Sequence, residues 1–99
     1  MKKINLVYDD YYKSVDILLV PDDVADNISD VVREFFYWLG HTSNHPYFVT
    51  DDSGRKMLIS NSTIFAEWLN MMYNKNGDQK SMVIKVGAEY CPEYPTAEF

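Results

Sequence analysis

The strongest constraint on the fold is an apolar stripe between residues 21 and 40. Six apolar residues recur there at spacings of three and four, which is the period of one face of an α-helix. Asp22 or Asp23 is the expected N-cap, and Gly40 is the expected glycine just past the end of the helix. The sequence therefore predicts one amphipathic helix, whose buried stripe consists of Val24, Ile28, Val31, Val32, Phe35 and Leu39.

Segments with the patterning of strands surround this helix. Before it, residues 3–8 and 12–20 alternate in the manner of two strands joined by a short turn. The far half of the second segment is apolar on both faces, which predicts a central strand. After the helix, residues 47–50 and 55–59 predict a second hairpin, with Gly54 in the left-handed position of its turn. A last strand is expected over residues 81–86, with Met82, Ile84 and Val86 on one face.

A second helix is expected between the second hairpin and the last strand. Ser60, Asn61 or Ser62 is the expected N-cap, because these side chains accept hydrogen bonds from the first free N–H groups of a helix. Residues 74–77 are expected to end it. Its predicted buried stripe consists of Ile64, Trp68, Met71 and Met72, widened by Phe65 and Leu69.

The order of these segments, ββαββαβ, predicts an α+β fold with two helices packed on one face of a small, mainly antiparallel sheet. A chain of 99 residues with 46% apolar content fits one folded domain, expected over residues 1–87. Residues 88–99 are expected to form an acidic, aromatic tail. Pro92 and Pro95 exclude a regular helix or a central strand from that tail.

Composition excludes several classes of protein. The chain has 15 acidic and 9 basic residues, a net charge of −6, which argues against direct binding of nucleic acid or of an anionic membrane. Neither a signal peptide nor a run of about 18 apolar residues is present, so a cytoplasmic protein is expected. Because Cys91 is the single cysteine, the chain has no intramolecular disulfide and no multi-cysteine zinc site.

The acidic residues are concentrated on the first helix. Residues 1–30 contain 7 acids and 3 bases, and the only base near the helical acids is Arg33. Helical geometry places the acids opposite the apolar stripe, either as a solvated face or as a docking face for a basic partner. This predicted acid ladder consists of Asp23, Asp26, Asp30 and Glu34 and ends in Tyr37.

The tail is the second candidate for partner binding. It contains acids and no base, and it keeps aromatic residues that unordered tails usually lack. Its tyrosines therefore either pack back on the sheet or anchor in a partner. The candidate residues are Glu89, Tyr90, Glu93 and Tyr94.

No pattern indicates catalysis, a cofactor or a metal. His41 and His45 are four residues apart, but Pro46 favours a loop there over a helical ligand pair. The aspartate pairs at 9–10, 22–23 and 51–52 occur where turns and caps favour aspartate. Cys91 lies between Glu89 and Glu93, which disfavours a thiolate. In the aromatic run 35–38, only the tyrosine is expected to face outward.

These features favour a non-enzymatic, acidic inhibitor that docks on a basic, nucleic-acid-handling protein. A phage anti-defence protein fits, such as an inhibitor of CRISPR effectors or restriction enzymes whose carboxylates imitate a phosphate backbone. An immunity protein that neutralises a nuclease toxin is the nearest alternative. A small-molecule (nucleotide) sequestering protein or minor enzyme would instead have a pocket lined by tyrosines and by Arg33, Arg55 or Lys56. A homodimer through the tail or a sheet edge is compatible with each of these functions.

Overall fold

The computed structural model describes residues 1–9, 11–42, 45–58, 60–74 and 80–99. Within them the α+β class is confirmed, with a four-stranded mixed sheet, a separate two-stranded sheet and three helices. In chain order the elements are β1 (Lys2–Tyr8), β2 (Tyr11–Val20), α1 (Asp22–Asp26), α2 (Ile28–His41), β3 (Phe48–Thr50), β4 (Lys56–Leu58), α3 (Ser62–Tyr73), β5 (Met82–Ala88) and β6 (Thr96–Glu98).

The main sheet has the strand order β5-β2-β1-β6. β2 pairs antiparallel with both β1 and β5, so its prediction as a central strand is confirmed. β6 pairs with β1 in parallel, which makes the sheet mixed, and it belongs to the segment expected as a tail. β3 and β4 form the second hairpin around Gly54, with φ +82°, but as a sheet of their own. The predicted strand residue 59 lies outside the described residues.

The core lies on one face of the main sheet. The register places Ile4 opposite Leu18, and these side chains are fully buried together with Leu6 and Val20. The helices cover this face with aromatic rings, because the Phe35 ring centroid of α2 lies 5.2 Å from that of Phe65 and 5.4 Å from that of Trp68. No helix of the described residues is long and apolar enough to cross a bilayer.

The prediction of one continuous first helix is wrong, because Asn27 divides it into α1 and α2. The Asn27 amide donates from Nδ2 to the Asp23 carbonyl, and the Asn27 N–H donates to Val24. The side chain thereby replaces a regular helical bond, as asparagine side chains do at helix ends. The predicted stripe is still buried on both helices: Val24, Ile28, Val31, Val32, Phe35 and Leu39.

The predicted ends of the first helix also need correction. Pro21 occupies the N-cap position of α1, while Asp22 and Asp23 lie in its first turn without capping it through a side chain. Carboxylates are favourable there because the helix N-terminus carries a partial positive charge. Gly40 lies inside α2, which ends at His41 with Thr42 as its C-cap. The predicted loop after the helix includes residues 43 and 44, which lie outside the described residues.

The second helix begins where the sequence predicts. Asn61 caps α3, because its Oδ1 accepts a hydrogen bond from the Ile64 N–H at 2.9 Å. The predicted stripe is wrong at Met71 and Met72, which are 52% and 40% exposed. The described buried residues of α3 are Ser62, Phe65, Ala66, Trp68 and Leu69. Helix α3 ends at Tyr73 with Asn74 as its C-cap, and residues 75–77 of the expected end lie outside the described residues.

The last predicted strand is present as β5, but its apolar row is exposed. Val83 packs against the core and pairs with Leu18, so the alternation of the strand directs its neighbour Met82 to the opposite face. The register shift between Ile17 and Leu18 falls at Ile84, so the predicted alternation does not continue through this residue. Met82, Ile84 and Val86 are 48%, 45% and 68% exposed.

Residues 89–95 cross the helix-free face of the sheet and are held there by Asn5. Asn5 is fully buried, and its Nδ2 donates to the Cys91 carbonyl at 2.7 Å and to Thr96 Oγ1 at 3.1 Å. Its Oδ1 accepts from the Cys91 N–H at 3.4 Å. Because the amide satisfies both backbone groups of Cys91, it fixes where the crossing segment turns toward β6.

We expect Asn5→Leu to lower the free energy of unfolding by about 2 kcal/mol, because it leaves the partly buried Cys91 N–H without its acceptor and the Cys91 carbonyl with the Tyr94 N–H as its remaining donor. Urea denaturation measures this loss. Thr96→Val is the matched control, because it removes one Asn5 contact and leaves the two Cys91 contacts, so its loss should be clearly smaller. Equal losses in the two variants would contradict the role given to Asn5.

Candidate partner-binding groove

Two adjoining concavities follow the open edge of β6, and we call them together the β6 groove. The first has a volume of about 540 Å³ and lies along β6. Residues of α2 line one side of it, and two tyrosines line the opposite side. It is open to solvent, because Tyr12 and Phe36 are 45% and 38% exposed. Its lining residues are Tyr12, Ser29, Val32, Arg33, Phe36, Tyr90, Thr96, Ala97 and Glu98.

The second concavity lies at the junction of α1 and α2. Its volume is about 340 Å³, and it shares Ser29 and Thr96 with the first. The bend at Asn27 forms one side and Pro95 the other, so the break between the helices shapes this end of the groove. The lining residues are Ala25, Asp26, Asn27, Ile28, Ser29, Asp30, Pro95 and Thr96.

The tyrosine side of the groove depends on the crossing segment. Tyr90 lies in that segment, and its ring packs edge-on against Tyr12 with centroids 5.0 Å apart. The opposite side is the face of α2 that carries Val32 and Phe36. Ala97 lies between them and is buried, and its small side chain permits α2 to approach β6 closely.

The acid ladder is less negative than its sequence indicates. Lys2 Nζ lies 2.7 Å from Asp26 Oδ1, although the two residues are 24 positions apart. Arg33 forms an ion pair with Asp30, as its spacing allows. Asp26 and Asp30 keep side-chain exposures of 57% and 73%, so both carboxylates remain accessible at the rim of the groove. The expectation that Arg33 alone offsets the acids is therefore wrong.

The rest of the ladder lies outside the groove lining. Glu34 accepts a hydrogen bond from the Tyr73 hydroxyl at 2.7 Å, which ties α2 to α3. Tyr37 stacks on His41 with ring centroids 3.9 Å apart and is exposed. Asp23 is exposed on α1 and accepts from the Val24 N–H. None of these three side chains lines the groove.

The tail residues divide in the same way. Tyr90 lines the groove, whereas Glu89, Glu93 and Tyr94 do not. The Tyr94 ring has Lys3 Nζ at 6.0 Å from its centroid. Two aromatic residues of the tail pack on the domain, which is one of the two interpretations of the tail. Tyr90 packs against Tyr12, and the ring centroid of Phe99 lies 5.1 Å from that of Phe36.

The sequence did not single out Phe36, Tyr12 or Thr96 as site residues. Phe36 was expected in the core, but its side chain lies on the side of α2 that lines the groove. Its position between Arg33 and Tyr37 is a signal that could have shown this, because those neighbours lie on the polar side of the helix. No local signal identifies Thr96, since its place depends on pairing with a strand 91 residues earlier in the chain.

Both histidines have structural partners. His45 is buried; its Nδ1 accepts from the Tyr47 N–H, and its Nε2 donates to the Leu39 carbonyl at 3.0 Å. His41 Nδ1 lies 2.8 Å from the Tyr37 carbonyl. Among the described residues, no three histidine, cysteine, aspartate or glutamate side chains are placed to hold one metal ion.

Comparison with known proteins adds no relative: no protein-family model, curated protein or solved structure matches this chain significantly.

Two tyrosines are expected to ionise last. Burial and the hydrogen bond to Asp16 raise the pKa of Tyr8 to about 12, and burial and the bond to Glu34 raise the pKa of Tyr73 to about 12. Phenolate absorbance should therefore show a late step that shrinks in Tyr8→Phe and in Tyr73→Phe. Because both pKa values exceed the ordinary value of 10.0, their contribution to stability is complete below pH 10 and is lost as the pH rises toward 12.

Tyr11→Phe is the control for this titration, because Tyr11 is 56% exposed. It should leave the late step intact. If the late step persists unchanged in Tyr8→Phe and Tyr73→Phe, these two phenols are not the groups responsible.

Proposed function

We propose that this chain is a small, acidic, non-enzymatic binding protein that docks on a basic, nucleic-acid-handling protein and inhibits it. The observation that carries the proposal is the convergence of the two acid-rich segments on one groove. Asp26 and Asp30 come from the helices, and Tyr90 comes from the segment after β5. Segments far apart in the sequence thus contribute to a single surface.

The charge of the β6 groove supports a basic partner. Its lining includes three carboxylates, those of Asp26, Asp30 and Glu98. They face the guanidinium of Arg33 and, at the rim, the ammonium of Lys2 beside Asp26, so one negative charge is in excess. Ion pairs at an exposed rim contribute little to stability, so Lys2 and Arg33 can exchange a carboxylate with a partner's cation at low cost. Such a rim accelerates association with a basic protein and makes it sensitive to salt.

The lining has the residue types of a protein interface. The described lining residues include no histidine, the side chain that most often acts as a general acid or base. Exposed aromatic side chains, by contrast, are the residues that contribute most to protein interfaces. Tyr12 and Phe36 present such surface at the two sides of the groove.

The biological setting that we favour is a phage anti-defence protein, which occupies the nucleic-acid site of a CRISPR effector or restriction enzyme. An immunity protein against a nuclease toxin would use the same physical interactions. Both settings require a protein partner with a cationic surface.

A small-molecule sequestering protein is the second candidate, and one observation favours it. The first concavity combines Tyr12, Tyr90 and Arg33, the tyrosines and arginine that a binding pocket for an anionic ligand requires. One feature weighs against it: the groove is open to solvent, since Tyr12 and Phe36 at its sides are exposed. A thermal shift on adding ATP or GMP would support this candidate against the inhibitor.

The proposal predicts that partner capture depends on the rim carboxylates. The double variant Asp26→Asn and Asp30→Asn should reduce capture of a basic protein by tenfold or more, because it removes two charged hydrogen-bond acceptors. The measurement is affinity capture from host lysate, followed by titration of the captured protein. Raising the salt from about 0.1 M to about 1 M should weaken the wild-type complex, since it shortens the Debye length from about 10 Å to about 3 Å.

Asp52→Asn with Glu67→Gln is the matched control, because it removes two exposed carboxylates outside the groove. It should leave capture near the wild-type level. Equal capture by the groove variant and by this control, or a complex that does not respond to salt, would contradict docking through the groove.

A further inference from the structure

The floor of the β6 groove is the open edge of a strand. The Asn5 N–H donates to the Pro95 carbonyl at 2.9 Å, and the Phe99 N–H donates to the Val7 carbonyl at 2.8 Å. In a parallel pair, alternate residues of a strand direct both backbone groups to the same neighbour. Pro95, Ala97 and Phe99 therefore face β1, and the N–H and C=O groups of Thr96 point away from β1 into the groove.

Among the described residues, the backbone N–H of Thr96 has no recorded hydrogen-bond acceptor. Its side chain is already engaged, because Thr96 Oγ1 accepts from Asn5 and donates to the Tyr94 carbonyl at 3.0 Å. The unused group is thus a backbone donor on a strand edge that is accessible from a concave surface. A strand edge of this kind is a template for pairing with another extended chain.

The two sides of the groove suit a chain in the extended conformation. Side chains of a strand alternate between its faces, so an added strand would direct every second side chain toward α2 and the others toward the tyrosines. Phe36 offers apolar surface on the first side, and Tyr12 and Tyr90 offer it on the second. This is the arrangement of strand addition, in which backbone bonds supply affinity and alternate side chains supply specificity.

Charge then selects the sequence of the added strand. Asp26 and Asp30 lie at the end of the groove near Pro95, and Glu98 lies at the other. Lysine or arginine at the end of the segment near Pro95 would meet the carboxylates of Asp26 and Asp30.

We infer that the β6 groove receives an extended, basic segment of the partner protein, which adds to β6 as a fifth strand of the main sheet. This inference rests on the proposed function, since it specifies how the basic partner is bound.

The other edge of the sheet is less suited to this role. β5 has two register shifts against β2, at Val15/Ile17 and at Ile17/Leu18, and Gly87 has a φ of +67°. Lys85 is exposed near the middle of the strand. Bulges and lysines are the features by which proteins keep an edge strand from pairing. The described part of β6 has a regular register over its three residues.

The test uses a synthetic hexapeptide of alternating lysine and valine, acetylated and amidated at its ends. We expect it to bind the wild-type chain in a fluorescence polarisation titration and to slow hydrogen exchange at the Thr96 N–H. Two peptides are compared with it. Methylation of alternate backbone nitrogens can start at the first or at the second residue, which gives two methylated peptides. One of these two frames should bind about tenfold or more weakly than the parent peptide, because it lacks the donors that face β6. Replacement of lysine by glutamate should abolish binding.

Thr96→Pro tests the same contact from the protein side. Proline removes the outward N–H and leaves the Pro95 and Phe99 bonds to β1 in place. Thr96→Val is its matched control, because it loses the same hydroxyl and keeps the N–H. Peptide affinity should fall by about tenfold in Thr96→Pro relative to Thr96→Val, with both unfolding midpoints measured to confirm folding.

The outcomes separate this inference from the proposed function. If the peptide does not bind, or if both methylated frames bind as well as the parent peptide, strand addition is wrong. If capture of the basic partner then still depends on Asp26 and Asp30, docking through the groove stands without strand addition. If the peptide binds as predicted, but capture of the basic partner is the same with and without the Asp26 and Asp30 carboxylates, the β6 edge is a peptide site and the proposed inhibitor surface is wrong. Should Thr96→Pro not fold, the methylated peptides decide the question.

Discussion

The buried amide of Asn5 is the contact on which the candidate site depends. It lies in the middle of β1, on the face without helices, and it binds both backbone groups of Cys91 and the hydroxyl of Thr96. Those contacts bring residues 89–95 across the sheet and direct the chain into β6. The same crossing sets Tyr90 against Tyr12. One polar residue inside the sheet therefore holds the edge strand and one wall of the groove.

The other wall depends on the apolar core. Phe35 packs against Phe65 and Trp68, and this contact holds α2 over the sheet without any disulfide. Phe99 extends the aromatic cluster to the end of β6, with its ring centroid 5.8 Å from that of Phe35. The groove between α2 and β6 is thus bounded by elements that share one buried aromatic cluster. A groove held in this way is preorganised, which lowers the entropy lost when a partner binds.

Local patterns predicted most of the elements. The apolar spacing identified the buried stripe of α1 and α2, the alternation identified β1 and β2, and Asn61 was among the expected caps of α3. The wrong predictions share one cause. Contacts between side chains that are distant or differently oriented override the local pattern, and the pattern does not contain these contacts. Asn27 breaks the helix through a side-chain bond, and Met71 and Met72 are exposed because other side chains of α3 fill the core. Val86 is exposed because it lies on an edge strand, beyond the part of β5 around Val83 that packs against the core.

The sequence by itself determined the class of fold, the excess of acids and their concentration in two segments. Periodicity and composition are local properties, and they do not depend on which elements meet. Only the tertiary structure decided that the two segments share a groove, because that depends on the pairing of β6 with β1. It also decided the charge of the rim, since Lys2 reaches Asp26 only after β1 packs beside α1. Contacts between distant residues set both features, and their free energies depend on the folded chain as a whole.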